Sequence, residues 1–136
     1  MTKKAIDELT YKIIGCAIEV HKELGPGLLE SVYEKCLIQE LMFQNLKVKS
    51  QLAVPLHYKG IDIACELRLD VLVEDCIVVE LKAVDFLLPV FSAQLLTYLK
   101  LLEKPKGILI NFNCTNIFKE GQKTFVNEIY ANLNDE

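Results

Sequence analysis

The chain has 136 residues, of which 51% are hydrophobic and 25% charged, and its formal net charge is −4 at pH 7. That length fits one domain, residues 1–136, and the composition is that of an ordinary globular protein. The chain lacks the basic excess usual in a dedicated nucleic-acid binder, so any attraction for nucleic-acid phosphate must be local, from a bound cation and a few lysines.

Residues 5–24 read as an amphipathic helix, with Ile6, Leu9, Ile13, Ala17, Val20 and Leu24 recurring at helical spacing. Gly25-Pro26-Gly27 breaks it. A second helix follows over 28–44, with Tyr33, Leu37 and Leu41 in line. From 47 to 59 the period falls to two. Val48, Leu52, Val54, Leu56 and Tyr58 form the apolar side of a half-buried strand, and Pro55 marks it as an edge. Lys59-Gly60 is a turn. From 61 to 73 the alternation resumes, with Ile61, Ile63, Cys65, Leu67, Leu69, Val71 and Val73 on one face and Asp62, Glu66, Arg68 and Asp70 on the other.

Residues 76–84 are apolar on both faces apart from Glu80 and Lys82, the pattern of a central strand. Pro89 opens a third helix reaching Glu103. Lys106–Phe112 is another buried strand. The tail over 122–133, with Phe125, Ile129 and Leu133 in line, reads as a last helix. The order α-α-β-β-β-α-β-α makes a single layered α/β domain.

No apolar run approaches the roughly 18 residues of a membrane span. Met1-Thr2-Lys3-Lys4 leads into Asp7 and Glu8 rather than an apolar stretch. A cytoplasmic location without a membrane partner is expected. The five cysteines are scattered with no C-x-x-C pair, which fits reduced core thiols and gives neither a zinc site nor an iron–sulfur cluster its spacing.

Glu80 and Lys82, two apart, share one face of a strand whose burial makes charge costly. Alone, the pair is equally explained by a strand end reaching solvent. Asp70 adds to it. A three-residue loop over 74–76, with Val73 opposite Ile77, brings Asp70 opposite Glu80, whereas a two-residue loop puts them on opposite faces. Two converging carboxylates repel, a divalent cation relieves that repulsion, and Lys82 adds a positive group for a water or a phosphate.

Glu30 tops the buried stripe of the second helix, where position alone fits a residue reaching solvent. Gln94 and Tyr98, four apart, share a helix face, and alone they fit plain packing. His21 reads as a hydrogen-bonded packing residue. There is no G-x-S-x-G turn and no phosphate-binding glycine loop.

Asp70 followed by Glu80-Leu81-Lys82 resembles the D…ExK core of the PD-(D/E)XK nuclease superfamily. Gln94-x-x-x-Tyr98 is similar to the QxxxY element of its RecB-type members, and Gly27-Leu-Leu-Glu30-Ser-Val-Tyr33 looks like the signature of the small GxxExxY family. The segments EVHKELGPGLLESVYE, RLDVLV, VVELKAV, AQLLTYLK and ILINF fit that pattern in order, over residues 10–113.

The resemblance implies a restriction-endonuclease-like αβββαβ core with a mixed central sheet flanked by helices. It implies one Mg²⁺ (or Mn²⁺) site, ligated by Asp70, Glu80 and the Leu81 carbonyl, with Glu30 a ligand directly or through water. Lys82 would orient the attacking water, and Gln94 and Tyr98 would shape the site or touch substrate. The implied activity is hydrolysis of nucleic-acid phosphodiesters, DNA in preference to RNA. The edge strand near Pro55 offers a contact for a homodimer reaching both strands. The segment Ile117-Phe118-Lys119-Glu120-Gly121 departs from the pattern, being less basic than the family's last core strand. A silent or partner-dependent module, and a hydrolase of a small phosphodiester, are the alternatives.

Overall fold

A computed structural model describes residues 1–136. Helix α1, Lys3–Leu24, starts where the Thr2 hydroxyl accepts the Ala5 N–H at 3.1 Å. It ends at Gly25, whose φ of 67° suits a residue without Cβ. Helix α2, Glu30–Phe43, follows. Tyr33 fixes the turn between them. Its hydroxyl donates to the Gly25 carbonyl at 2.6 Å and accepts the Leu28 N–H at 3.1 Å, while its buried ring stacks on Phe112 with centroids 4.5 Å apart.

The main sheet has the order β1-β4-β5-β6-β7. Its strands are β1 (Val48–Ala53), β4 (Arg68–Val73), β5 (Ile77–Lys82), β6 (Lys106–Asn111) and β7 (Gln122–Val126). The β5–β6 pair is parallel and the others antiparallel. Between β5 and β6 the chain crosses over through α3, Pro89–Leu102. This is the expected αβββαβ core with a mixed sheet. The helices α1 and α2 pack on one face, with Ile13, Leu37, Leu41, Val79, Leu81 and Ile110 in the larger core cluster. Helix α3 packs on the other, where Leu95, Tyr98 and Leu99 meet Leu72, Val78 and Leu109. A Cβ at Gly107 would come within 2.8 Å of Leu95, so the glycine in β6 lets α3 lie close. Each large apolar side chain buried in these layers contributes roughly 1.5–3 kcal/mol. No helix is long and apolar enough to cross a membrane.

Three expectations are corrected. The strand over 47–59 is two strands, because β1 stops at Ala53 and Pro55 precedes β2, Leu56–Tyr58. The strand over 61–73 divides likewise into β3, Ile61–Ile63, and β4. Strands β2 and β3 form a separate hairpin whose Tyr58 and Ile61 are exposed. The tail is not one helix: Gln122–Val126 pairs with β6, and only Glu128–Ala131 is helical (α4). Without β7 the buried strand β6 would have an unpaired edge, and burying those N–H and C=O groups without partners is more costly than breaking the tail's helical spacing.

The alternation of β1 and β4 also changes faces midway. Val48 packs on the α1–α2 side but Leu52 and Val54 on the α3 side. Val71 and Val73 likewise pack on the α1–α2 side but Leu69 on the α3 side. Both strands switch at the rung of Gln51 and Asp70, where Gln51 has φ 50°.

Candidate active site

The turn from β4 to β5 settles the register. Glu74 and Asp75 both have φ 52°, the Cys76 N–H donates to the Val73 carbonyl at 3.0 Å, and Val73 faces Ile77. Counting back through Leu72–Val78 and Val71–Val79 places Asp70 opposite Glu80. At that rung side chains replace the ladder. The Asp70 N–H donates to Glu80 Oε2 at 2.7 Å, and the Leu81 N–H donates to Asp70 Oδ2 at 2.8 Å. A strand residue turns its N–H and C=O toward the same neighbour, so the Leu81 carbonyl is directed toward β4 as well.

Lys82 leaves β5 two residues beyond Glu80. Its ammonium stands 4.4 Å from the ring centroid of Phe91 on α3 and makes no ion pair. Tyr98, 4% exposed, faces the carboxylates from α3. Burial foremost, and then the charges of Glu80 and Asp70, raise its hydroxyl above the usual tyrosine value, with the Gln94 side chain opposing. Gln94 itself is exposed.

The pair is electrostatically uncomfortable. Glu80 is 5% exposed, and burial, followed by the charge of Asp70, pushes its carboxyl up to about 8. The Asp70 N–H and the Lys82 charge only partly offset this.

Glu30, the first residue of α2, is exposed. One turn on, Glu34 is the half-buried carboxylate that senses Asp70. Its pKa is raised by burial first and then by the Asp70 charge, while a hydrogen bond from Gln51 opposes the rise. Gln51 Nε2 lies 2.9 Å from Glu34 Oε1 and 3.4 Å from Asp70 Oδ1. The left-handed φ of Gln51 costs a residue with a Cβ about 1–2 kcal/mol, and Arg68 Nη1 bonds the Gln51 carbonyl at 3.0 Å. Neither Glu34 nor Gln51 is singled out by spacing. The available sign was that Glu34 follows Glu30 at i+4 and so shares its helix face.

The structure thus brings together Asp70, Glu80, the Leu81 backbone and Tyr98, with Lys82 close enough for its charge to act on Glu80 but ion-paired to neither carboxylate, and with Glu30 exposed at the start of α2. No three carboxylates, imidazoles or thiols gather closely enough to hold a metal by themselves. The donor set still fits a hard divalent cation. It offers two carboxylates, one of them pushed toward protonation by its burial and then by its like-charged neighbour, with no cationic side chain paired to either. Mg²⁺ in particular takes one or two carboxylates and completes its shell with water and phosphate oxygens.

Among protein families, the model of the PD-(D/E)XK nuclease superfamily matches residues 7–125. No curated protein and no solved structure matches the chain significantly. The matched segment contains all six strands and helices of the αβββαβ core and both carboxylates of the splayed rung. The chain belongs to the PD-(D/E)XK nuclease superfamily.

Proposed function

We propose that the protein is a metal-dependent nuclease that hydrolyses phosphodiester bonds of nucleic acid, DNA in preference to RNA, with Mg²⁺ or Mn²⁺. The observation that supports it best is the Asp70–Glu80 rung, where two carboxylates displace the β-ladder and face each other in a largely buried setting. Stability alone does not favour such a pair, because like charges brought out of water repel and neither carboxylate is paired with a cationic side chain.

In this reading Asp70, Glu80 and the Leu81 carbonyl hold the cation, and Glu30, exposed at the start of α2, joins them directly or through water. When bound, the cation supplies positive charge against the phosphate and promotes ionisation of the attacking water. Lys82, held beside Phe91, orients that water or steadies charge on the phosphate as substrate enters. Tyr98 and Gln94 line the α3 side and contact the substrate backbone. Asp70 and Glu80 keep their orientation through the backbone N–H groups that they accept.

The test is cleavage of linear and circular, single- and double-stranded DNA, and of RNA, with Mg²⁺, Mn²⁺ or EDTA. Cleavage should require metal and fall by at least about a thousandfold in Asp70→Ala and Lys82→Ala. A folded, Mn²⁺-binding protein inert on every substrate sinks this reading. It would favour a second one, a partner-dependent or silent module or a hydrolase of a small phosphodiester, which draws on the net charge of −4 and on Lys82 standing clear of the carboxylates.

A further inference from the structure

We propose that Gln51 is a positioning residue of the site, its side-chain amide holding Glu34 against Asp70 so that α2 acts on the cation-binding pair through Glu34. This rests on the reading of Asp70 and Glu80 as cation ligands. A primary amide has two N–H donors, and those of Gln51 are aimed at one carboxylate each, at 2.9 Å and 3.4 Å. The other oxygen of Asp70 is committed to the Leu81 N–H, so the carboxylate is fixed from both sides.

The backbone serves the same end. Gln51 alone in β1 has a positive φ, although Ser50–Val71 before it and Leu52–Leu69 after it keep one register. No residue is inserted, so this is not a bulge that shifts pairing. The turn of the strand coincides with the rung that carries Asp70, and Arg68 holds the displaced carbonyl. Gln51 is exposed, so core packing does not call for it.

The residue type fits the task. A lysine could bind the same two carboxylates, but its fixed charge would take the place of the cation. A neutral amide aligns them and leaves their charge available to a divalent ion.

The experiment is a calorimetric Mn²⁺ titration of the full chain, with melting temperatures recorded in EDTA. Gln51→Ala should weaken Mn²⁺ binding about 10–100-fold at an unchanged metal-free melting temperature. Glu34→Gln should weaken it by as much while keeping or raising that temperature, since burial and the Asp70 charge already disfavour the Glu34 carboxylate. The double variant should be no weaker than the weaker single one, since both remove one bridge. Gln51→Lys should abolish Mn²⁺ binding and raise the metal-free melting temperature. Should Gln51→Ala unfold, Gln51→Gly, which adopts φ 50° without strain, must show the same loss of affinity. Wild-type affinity in the Gln51 variants, with binding lost in Asp70→Asn, overturns this proposal and leaves the site reading intact. Absence of Mn²⁺ binding by the wild type overturns both.

Discussion

Two clusters of charge lie at opposite ends of the sheet, and they are built on opposite rules. At the start of β6, Lys106 is buried, with its ammonium 3.2 Å from Asp7. The Tyr130 hydroxyl donates to both oxygens of that same carboxylate, and Lys106 and Lys3 stand over the Tyr130 ring. Each charge there meets its opposite, and the cluster ties α1 to α4 and the sheet. At the far end, Asp70 meets Glu80, and the nearby lysine is held by an aromatic ring instead. A buried charge that meets its opposite fastens the fold. One that meets its like weakens the fold, and in the proposed reading that cost is relieved by a cation from solution.

The comparison breaks most visibly under a change of pH. Glu80 has its folded pKa raised to about 8 from 4.5, so between those values the native state binds more protons than the unfolded one. The stability that Glu80 contributes in the absence of metal is therefore fully present below about pH 4.5 and is lost as pH rises toward 8. Glu80→Gln keeps an acceptor for the Asp70 N–H and removes the titration. It should raise stability at pH 8 by on the order of 2–4 kcal/mol in EDTA and flatten the pH trend, as read by urea melts. Saturating Mg²⁺ should flatten the trend in the wild type and do nothing to the variant.

The matched cluster should behave in the contrary sense. Asp7→Ala leaves the Lys106 ammonium buried without its partner. It should lower stability by about 2 kcal/mol, less than for a fully buried pair because Asp7 is half exposed. The loss should be the same with EDTA or Mg²⁺, and a metal-dependent loss would erase the distinction between the clusters. A smaller effect sharpens it from neutral ground. Tyr33→Phe keeps the stack on Phe112 but leaves the Gly25 carbonyl and the Leu28 N–H without their partner, and should cost about 1 kcal/mol at any pH.

Much of this was readable from residue order. The residues that would meet were readable, because strand side chains alternate and loop parity decides the face, but two loop lengths remained open until the structure showed three residues between Val73 and Ile77. The αβββαβ order followed from period and from Pro89. What stayed hidden depends on contacts across the chain. The tail's four-residue spacing was overridden by the open edge of β6. The separate hairpin begins after Pro55, whose missing donor fits an edge position and an interruption of the strand equally. Gln51 was hidden most deeply, since nothing in a Lys-Ser-Gln-Leu run announces a left-handed residue in a strand. Glu34 was hidden with it, because its nearness to Asp70 arises only once α2 lies along β1 and β4.

The two backbone hydrogen bonds from Lys3 to Asn134 and from Lys4 to Asp135, at 2.8 and 3.1 Å, place the ends of this chain side by side. The connectivity of the fold is thereby nearly a closed ring. A short linker could join those ends with little strain, and the exposed Lys59-Gly60 turn, whose residues have φ 49° and 80°, offers a place to open the ring again. Such a permuted chain would begin and end beside the β2–β3 hairpin. The strands that carry Asp70 and Glu80 would stay continuous, and β1, with Gln51, would be separated from β4 in sequence while still pairing with it in space.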